Sequence, residues 1–301
     1  MAHEYFKKEN YQRKPEWLKV NLPQGKDYKE IRDNMRTKGL ATVCEEARCP
    51  NLSECWSART ATVMILGDTC TRACKFCNVK TGNPKGFINK DEIANTSEMV
   101  AMMNLRYIVI TSVDRDDLPD HGASHFASVI KRVHADHPET KVEVLIPDFG
   151  GDEERMRVLA DANPYVIAQN VETVKRLTHP VRDPRASYEK TLGCLKFYKE
   201  NYPHIQTKTS LMVGLGETWQ EIQEALEDIR AHDVDIITFG QYLQPSKRHL
   251  NVEKYYTPEE FEELKRMSLK LGFKFVASGP LVRSSYKAGD FLDYVESVEK
   301  K

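Results

Sequence analysis

The sequence predicts an α/β fold built around a parallel β-sheet, because strand-like and helix-like segments alternate from about residue 60 onward. The strand-like segments are short, rich in β-branched residues and almost continuously apolar, as expected for strands buried on both faces of a sheet. The segments between them space their apolar residues along one helix face. Six such strand–helix units predict a sheet that is either open or curled into an incomplete barrel.

The predicted strands follow one another at regular intervals. They are Ala61–Leu66, Tyr107–Thr111, Val142–Ile146, Tyr165–Ala168, Ser210–Val213 and Ile236–Phe239. In both kinds of parallel sheet, ligands bind at the carboxyl ends of the strands. Cysteines and polar residues follow several of these ends, and we therefore expect them at one mouth of the sheet. They are Cys70, the run Asp114–Asp117, Asn170, Glu172 and Gln241.

Two segments carry clear helix signals. After the fifth strand, apolar residues share one face of a predicted helix, at Trp219, Ile222, Leu226 and Ile229. A later helix is predicted to begin with Thr257 as N-cap and Pro258 at its first position, and Glu260 completes a capping box. Gly272 suits the end of this helix, because glycine readily adopts the left-handed conformation found there.

Composition bounds the class of protein. The chain has 301 residues, 40% of them hydrophobic, which is enough for a sizeable core. Its 44 basic and 45 acidic residues argue against a strongly basic nucleic-acid surface. No segment approaches the ~20 apolar residues of a membrane span, and the first residues lack the apolar stretch of a secretory signal. We therefore expect a soluble, cytoplasmic protein, in which cysteines serve metal or catalytic chemistry rather than disulfides.

Six of the seven cysteines form two triplets, with spacings C-x4-C-x5-C and C-x3-C-x2-C. They are Cys44, Cys49 and Cys55, followed by Cys70, Cys74 and Cys77. Each triplet is one thiolate short of the usual four ligands of an iron–sulfur cluster or a closed zinc site. A cluster held by three cysteines leaves one iron able to bind another group, whereas a zinc site would need a distant histidine. The seventh, Cys194, lies in the predicted helix Tyr188–Tyr198 and is expected to be buried.

The second triplet lies in the segment GDTCTRACKFCNV (Gly67–Val79), which resembles the radical S-adenosylmethionine superfamily. The resemblance implies an incomplete (β/α)6 TIM-like barrel with N-terminal and C-terminal extensions. It also implies a 4Fe–4S cluster on Cys70, Cys74 and Cys77, whose unique iron binds the amino and carboxylate groups of S-adenosylmethionine. One electron from the cluster then yields a 5′-deoxyadenosyl radical that abstracts hydrogen from unactivated carbon.

The same resemblance assigns further residues to the cofactor. Phe76 would lie near the adenine, and the glycines of the GLGE segment, with Gln241 after the sixth strand, would contact the cofactor. The glycines are Gly214 and Gly216. The ribose or methionine portion would be bound by Asn170 and Glu172, which follow the fourth strand. The structural alternatives are packing for Phe76, an ordinary turn for GLGE, and a helix cap with a first-turn acid for the last pair.

Four more segments narrow the resemblance to the lipoyl synthases over nearly the whole chain. They are RKPEWLK (Arg13–Lys19), TVCEEARCPNLSECW (Thr42–Trp56), GQYLQPS (240–246) and GPLVRSSY (Gly279–Tyr286). In that family, two sulfur atoms are inserted at carbons 6 and 8 of an octanoyl chain on a carrier-protein lysine. Two S-adenosylmethionine molecules are consumed, and an auxiliary 4Fe–4S cluster donates the sulfur.

The lipoyl synthase resemblance also assigns the auxiliary site and the partners. The auxiliary cluster would be held by the first triplet and a serine oxygen, which we assign to Ser285 with Ser284 as the alternative. Arg283 would orient this loop or contact cluster or substrate, so Arg283 and Ser285 are the predicted catalytic residues. The implied partners are octanoylated lipoyl carrier domains, from a 2-oxoacid dehydrogenase acyltransferase subunit or the glycine cleavage H protein. An electron donor such as flavodoxin or ferredoxin, and an iron–sulfur carrier, complete the set.

The predicted organisation is an N-terminal extension (1–58), a radical S-adenosylmethionine partial barrel (59–250) and a C-terminal extension (251–301), forming one compact unit. One departure from the family pattern is Gln169-Asn170 where His-Asn is common, which excludes a role that needs a protonated imidazole. Two other functions remain open at this point. They are another radical S-adenosylmethionine enzyme, such as a methylthiotransferase, and a non-catalytic zinc-binding module.

Overall fold

The computed structural model describes residues 13–19, 33, 37, 41–42, 51, 60–285 and 288–299. The described residues divide into two compact units. The first, called here the 168–284 unit, takes its residues from Met1–Val20, Arg72–Asn78 and Ala168–Ser284. The second, the 79–167 unit, takes its residues from Asn21–Thr71, Val79–Ile167 and Ser285–Lys301. The domain boundaries predicted at residues 58 and 250 stay a prediction.

The described elements alternate between strand and helix along most of the chain. The strands are β1 (Ala41–Thr42), β2 (Thr60–Ile65), β3 (Thr69–Cys70), β4 (Lys80–Thr81), β5 (Tyr107–Ser112), β6 (Lys141–Leu145), β7 (Val166–Ala168), β8 (Gln206–Val213), β9 (Ile236–Gln241) and β10 (Phe275–Gly279). The α-helices are α1 (Glu92–Met103), α2 (Ala123–Asp136), α3 (Glu153–Ala160), α4 (Thr178–Val181), α5 (Tyr188–Asn201), α6 (Trp219–Ala231), α7 (Pro258–Lys270) and α8 (Ala288–Glu299).

In the 79–167 unit the strand order is β1-β2-β5-β6, followed by the first residues of β7. The short β1 runs antiparallel to β2, while β2, β5 and β6 are parallel. Strands β3 and β4 form a separate two-stranded parallel sheet beyond the end of β2. Helix α8 packs on β5, where Ala288 and Leu292 join a buried cluster with Tyr107 and Val109.

In the 168–284 unit the end of β7 is followed by β8, β9 and β10. Strands β8, β9 and β10 are parallel, and Ile236 of β9 pairs with Lys208 on one side and Phe275 on the other. Helix α6 buries Ile222, Leu226 and Ile229 in the core of this unit, as their spacing predicts. Both α6 and α7 begin with a complete capping box.

The predicted α/β class with a mostly parallel sheet is confirmed, and in neither unit does the described part of the sheet close on itself. All six predicted strands exist, with shifted ends. The sequence reading missed β10, because FVASG contains too few apolar residues to stand out. It also missed the two-residue strands β1, β3 and β4. Helix α7 has the predicted Thr257 cap and Pro258, and Gly272 follows its end with φ of 91°.

No helix among the residues described here combines the length and the apolar composition that a membrane crossing requires.

Candidate active site

The turn that leaves β2 is held by one buried carboxylate. Leu66 and Gly67 both have left-handed backbone conformations, with φ of 66° and 88°. The Glu92 carboxylate accepts hydrogen bonds from both backbone N–H groups, at 2.8 Å from Leu66 and 3.1 Å from Gly67. The His125 ring nitrogen Nε2 lies 2.9 Å from Glu92 Oε2 and fixes this carboxylate in turn. The start of the predicted cluster loop is therefore anchored to α1 and α2 of the same unit.

Cys70 lies at the end of β3, in the 79–167 unit, and is half-buried. Its Sγ accepts a hydrogen bond from the backbone N–H of Asp114 at 3.3 Å. The thiol also donates to Asp114 Oδ2 at 3.7 Å, and the Cys70 carbonyl accepts from Gly82 N at 2.9 Å. The sulfur is thus oriented by the segment that follows β5.

Cys74 and Cys77 lie in the 168–284 unit and are also half-buried. The Cys74 Sγ accepts a hydrogen bond from the backbone N–H of Asp183 at 3.3 Å. The Cys77 backbone N–H donates to the Cys74 carbonyl at 3.1 Å, which closes a turn between them. The Cys77 carbonyl lies 3.0 Å from His249 Nε2, so the loop is tied to the segment after β9.

Asp183 supports the Cys74 turn through its side chain as well. Its Oδ2 accepts from Ala73 N at 2.9 Å, and Arg185 donates to the same carboxylate through Nε and Nη2. The hydrogen bond from Arg185 holds the pKa of the Asp183 carboxyl well below its ordinary value, against the opposing effect of burial. Asp183 is therefore ionised throughout the physiological range and keeps its acceptor role.

The environment of the thiols suits metal ligation. The Cys70 and Cys74 sulfurs each accept a hydrogen bond from a backbone N–H, which favours the thiolate form that binds iron. Within the described ranges, no group of three or more His, Cys, Asp and Glu side chains is gathered as a site for a metal ion. The fit of an iron–sulfur cluster therefore depends on the C-x3-C-x2-C spacing and on these N–H donors.

Asn170 and Glu172 follow β7 and do not form a helix cap, contrary to the structural alternative. Glu172 instead forms an isolated parallel bridge with Leu211 of β8 and has a left-handed φ of 70°. Asn170 Nδ2 donates to Glu172 Oε1 at 3.1 Å. Burial raises the pKa of the Glu172 carboxyl, although the Arg182 charge and the Asn170 hydrogen bond act to lower it. A strained backbone and a partly buried carboxylate with a raised pKa are typical of ligand-binding positions.

Two buried side-chain oxygens, one in this motif and one next to it, have no hydrogen-bond partner among the residues that the structure describes. They are Gln169 Oε1 and Asn170 Oδ1. An unsatisfied buried acceptor is unfavourable, and polar ligands often supply the missing donor. S-adenosylmethionine carries ammonium, ribose hydroxyl and adenine amino donors, so these acceptors fit that cofactor. Their assignment to particular cofactor atoms stays a prediction.

The GLGE segment forms a tight turn whose amides are occupied by the protein. Glu217 accepts hydrogen bonds from Gly214 N at 2.5 Å and Leu215 N at 2.9 Å. Gly214 has φ of 105°, and a Cβ there would lie 2.2 Å from Gln241 Nε2 and 2.5 Å from the Lys254 carbonyl oxygen. Glycine is therefore required at 214 by the turn itself. Cofactor contact by Gly214 and by Gly216, which is exposed, stays a prediction.

The Gln241 side chain is buried and hydrogen-bonded to backbone on all sides. Its Nε2 donates to the carbonyl oxygens of Val213, Tyr242 and Lys254, at 3.1, 3.1 and 2.9 Å. Its Oε1 accepts from Tyr256 N at 2.9 Å. The amide thus joins the end of β8 to the segment before α7, and its predicted role in cofactor binding is untested.

Phe76 and Arg283 occupy half-buried positions in the 168–284 unit. Phe76 packs against the apolar core of that unit, as its structural alternative requires, and its adenine contact stays a prediction. Arg283 Nη1 donates to the carbonyl oxygens of Val282 at 2.7 Å and Gln241 at 3.4 Å. A Cβ on Gly240 would lie 2.1 Å from the Val282 carbonyl oxygen, so this glycine lets Val282, the residue before RSSY, lie close to β9.

Family models match two parts of the chain. The model of the radical S-adenosylmethionine superfamily matches residues 64–229, and the model of the N-terminal domain of lipoyl synthase matches residues 3–49. A lipoyl synthase from Legionella pneumophila strain Paris is 56% identical over 91% of this chain and 84% of its own length. A lipoyl synthase from Francisella philomiragia is 56% identical over 94% of this chain and 87% of its own length. The chain belongs to the lipoyl synthase family.

A solved structure confirms the fold of this lipoyl synthase family member. The FeFe-hydrogenase maturase HydG from Carboxydothermus hydrogenoformans superposes with a TM-score of 0.55, covering 86% of this chain and 73% of that one. At 12% identity this likeness concerns the fold alone. Membership of the lipoyl synthase family makes the chain a radical S-adenosylmethionine enzyme that uses an iron–sulfur cluster.

The predicted auxiliary site of the lipoyl synthase family is only partly within the described residues. Cys44, Cys49 and Cys55 lie outside them, as does the tyrosine of RSSY. Ser284 and Ser285 are described and half-buried. The ligand set of the auxiliary cluster therefore stays a prediction.

Sequence reasoning missed several residues that position the cysteines. Glu92, His125 and Asp183 give no signal in the sequence, because each acts through contacts with residues at least 25 positions away along the chain. The sequence does show that the polar run Asp114–Asp117 follows a predicted strand. That placement is the feature from which its position near Cys70 could be predicted.

Proposed function

We propose that this chain is a lipoyl synthase that inserts sulfur at carbons 6 and 8 of octanoyl-lysine on lipoyl carrier domains. The observation that carries the proposal is 56% identity to a curated lipoyl synthase over 91% of the chain. The separate match to the lipoyl synthase N-terminal domain, over residues 3–49, includes Cys44 and Cys49 of the first triplet. This second match favours lipoyl synthase over a methylthiotransferase or a zinc-binding module.

The second triplet would hold the cluster that reacts with S-adenosylmethionine. When bound, the cofactors supply the radical cleavage of C–H bonds and the sulfur. The chain contributes binding and orientation: Cys70 and Cys74 present sulfurs that already receive backbone N–H donors. Asn170 and Glu172 offer a carboxylate and an unsatisfied buried oxygen to the ammonium and hydroxyl groups of S-adenosylmethionine.

The first triplet would hold a second 4Fe–4S cluster with a serine oxygen as fourth ligand, most simply from Ser285. A serine hydroxyl has a far higher pKa than a thiol, so a serine ligand would be reprotonated more readily than a thiolate. Ser285 would thus hold its iron more weakly than the three cysteines would hold theirs. This lability suits a cluster that gives up its sulfide.

The substrate chain must reach both clusters in turn. An octanoyl chain gains ~0.8 kcal/mol for each methylene group it buries, so an apolar path is expected for it. The carrier is either a 2-oxoacid dehydrogenase acyltransferase subunit or the glycine cleavage H protein. A flavodoxin or ferredoxin would supply electrons, and an iron–sulfur carrier would rebuild the auxiliary cluster.

An anaerobic reaction on an octanoylated carrier peptide tests the function. With reductant and S-adenosylmethionine, mass spectrometry is expected to show two sulfur atoms gained and two molecules of 5′-deoxyadenosine released per product. Protein loaded with about eight irons, the content of two 4Fe–4S clusters, is the starting material. Fully loaded protein that forms neither product would overturn the assignment, and colourless protein containing zinc would favour the binding module.

The serine ligand is tested separately by Ser285→Cys, with Ser284→Cys as its matched variant. A cysteine ligand holds iron more firmly, so the variant at the true ligand is expected to keep its auxiliary cluster and to lose sulfur insertion. 5′-Deoxyadenosine formation and iron content are measured beside product. If both variants complete both insertions at the normal rate, a labile oxygen ligand is unnecessary.

A further inference from the structure

The segment Asp114–Asp117, which reads DRDD, follows β5 and contacts the cysteine loop at several points. All of these contacts lie within the 79–167 unit. The Asp114 backbone N–H donates to Cys70 Sγ at 3.3 Å, as described above. The Asp114 carbonyl oxygen accepts from the Thr71 backbone N–H at 3.0 Å. Backbone groups of one residue therefore bind both Cys70 and its neighbour.

The Thr71 hydroxyl fastens the same two segments together. Thr71 Oγ1 lies 3.0 Å from the Asp114 carbonyl oxygen and 2.6 Å from Asp116 Oδ2, and it accepts from the Asp116 backbone N–H at 3.0 Å. One hydroxyl thus has contacts with two residues of DRDD. Because Thr71 is adjacent to Cys70, these contacts fix the backbone from which the thiol projects.

Arg115 holds the other end of the loop. Its side chain is 1% exposed, and Nη1 donates to the Leu66 carbonyl at 3.1 Å. Its Nε and Nη2 form a bidentate pair with Asp117, at 2.7 and 2.8 Å. Asp117 also accepts from Gly86 N at 2.8 Å. A buried arginine with this geometry is rigid, because each of its contacts restricts the planar guanidinium.

We propose that DRDD is a positioning element for the Cys70 ligand of the radical S-adenosylmethionine cluster, acting through Thr71 and the Asp114 backbone N–H. The inference rests on the proposed function only in assigning Cys70 to that cluster. Hydrogen bonds to cluster sulfurs tune the reduction potential, because they withdraw electron density and favour the reduced state. The Asp114 carboxylate, 3.7 Å from the same sulfur, has the opposite effect once the ligated thiol has lost its proton.

The test measures the cluster rather than lipoyl formation. The background is the full chain with Cys44, Cys49 and Cys55 all replaced by alanine, which leaves one cluster. Thr71→Val is nearly isosteric and removes the hydroxyl, so we expect a more negative midpoint potential and a changed electron paramagnetic resonance spectrum. The rate of reductive cleavage of S-adenosylmethionine is expected to fall about 10- to 100-fold, as for other groups that orient metal ligands.

Two control variants separate positioning from stability. Thr71→Ser keeps the hydroxyl and is expected to restore the wild-type potential. Thr140 lies just before β6, and its buried hydroxyl donates to the Leu105 carbonyl oxygen at 2.9 Å. Thr140→Val removes this hydroxyl. It is expected to lower the unfolding temperature and leave the potential unchanged.

A third variant acts in the opposite direction. Asp114→Asn removes the negative charge beside the sulfur and keeps the backbone N–H, so we expect a more positive potential. Loss of cluster loading in Thr71→Val alone, with both control variants loaded, would also support the proposal. Wild-type potentials in both Thr71→Val and Asp114→Asn would overturn it. A wild-type chain that loads no cluster on Cys70 would instead overturn the proposed function.

Discussion

Glu172 is the residue at which strain, burial and charge coincide. Its left-handed backbone is unfavourable for a residue with a side chain, and burial raises the pKa of its carboxyl above the ordinary value of 4.5. Ionisation of Glu172 is therefore less favourable in the folded protein than in the unfolded chain. Such a position persists when a ligand compensates for it, which agrees with its proposed place beside the cofactor.

The raised pKa of Glu172 predicts a pH-dependent effect of Glu172→Gln. The folded protein keeps the Glu172 proton at pH values where the unfolded chain has lost it, so wild-type stability falls as pH rises above 4.5 through the folded pKa. Glutamine does not titrate. The unfolding temperature of Glu172→Gln relative to wild type is therefore expected to rise as the pH increases from below 4.5 through the folded pKa.

Glu189→Gln is the matched control for this pH effect. A hydrogen bond from Lys175 lowers the pKa of Glu189, which is the opposite direction. Thermal unfolding of this variant should show no such rise with pH. A Glu172→Gln difference that is constant or shrinks with pH would contradict the raised pKa.

Gly214 and Gly216 form a natural pair for a second prediction at the residue scale. Both have left-handed φ values, so alanine at either position costs about 1–2 kcal/mol in backbone strain. A Cβ at Gly216 would lie 3.6 Å from Glu253 Cγ, an ordinary contact, whereas at Gly214 it would overlap Gln241. Overpacking should make Gly214→Ala less stable than Gly216→Ala by ~1–3 kcal/mol. Equal free energies of unfolding, measured with denaturant, would contradict the close approach.

At the residue scale, local spacing in the sequence indicates candidate ligands, but it does not indicate which distant residues support them. The spacing of Cys70, Cys74 and Cys77 indicates a cluster loop without any structure. The hydrogen bond from Asp183 to Cys74 cannot be inferred from the sequence, because the two residues are 109 positions apart. Gln241 is placed near the right strand end, but the sequence does not reveal that backbone groups occupy its amide.

At the scale of elements, Asp235 connects four segments of the 168–284 unit. It precedes β9, accepts from Lys199 of α5 and Lys274 before β10, and accepts from Thr207 N of β8 at 3.0 Å. Burial acts to raise its pKa, but the hydrogen bonds from both lysines and Thr207 outweigh it and lower the pKa below the ordinary 3.8. A single carboxylate thus fixes the amino-terminal ends of three neighbouring strands.

Asp235→Ala is expected to destabilise the protein by about 1–3 kcal/mol at neutral pH, because it leaves the buried Thr207 N–H without its acceptor. The lowered pKa means that this stabilisation is complete above the unfolded value of 3.8 and is lost as pH falls through the folded pKa. Chemical denaturation of Asp235→Asn, which keeps an acceptor oxygen, should show a smaller loss at neutral pH. This loss should shrink as pH falls, because the wild-type carboxylate titrates and the amide does not. A larger loss in acid than at neutral pH would contradict this account.

The elements themselves were largely predictable, and the exceptions have physical causes. Helix α7 shows its start in sequence, through Thr257, Pro258 and Glu260, since capping is local. Strand β10 depends on pairing with β9 rather than on its own composition. Glu172 was read as a possible first-turn acid, but its pairing with Leu211 of β8 decides its conformation.

For the whole molecule, the two cysteine triplets predict that cofactor cleavage and sulfur insertion can be lost separately. Cys70→Ala is expected to abolish 5′-deoxyadenosine formation, and Cys44→Ala to abolish sulfur insertion while 5′-deoxyadenosine still forms. Each variant should retain about four irons, one cluster's content. The control is Cys194→Ala, since Cys194 is buried in α5 and is expected to keep both clusters. Loss of all iron in either triplet variant would show that the clusters are not independent.

The N-terminal segment is tied to the rest of the chain by a bond that spans most of the sequence. Trp17 Nε1 donates to the carbonyl oxygen of Tyr256, 239 positions later in the chain, at 3.2 Å. At a synthesis rate of ~5–20 residues per second, this anchor becomes possible roughly 10–50 s after Trp17 is made. The segment around Trp17 therefore leaves the ribosome long before its hydrogen-bond partner has been made. Its place in the 168–284 unit can be fixed in this way only late in synthesis.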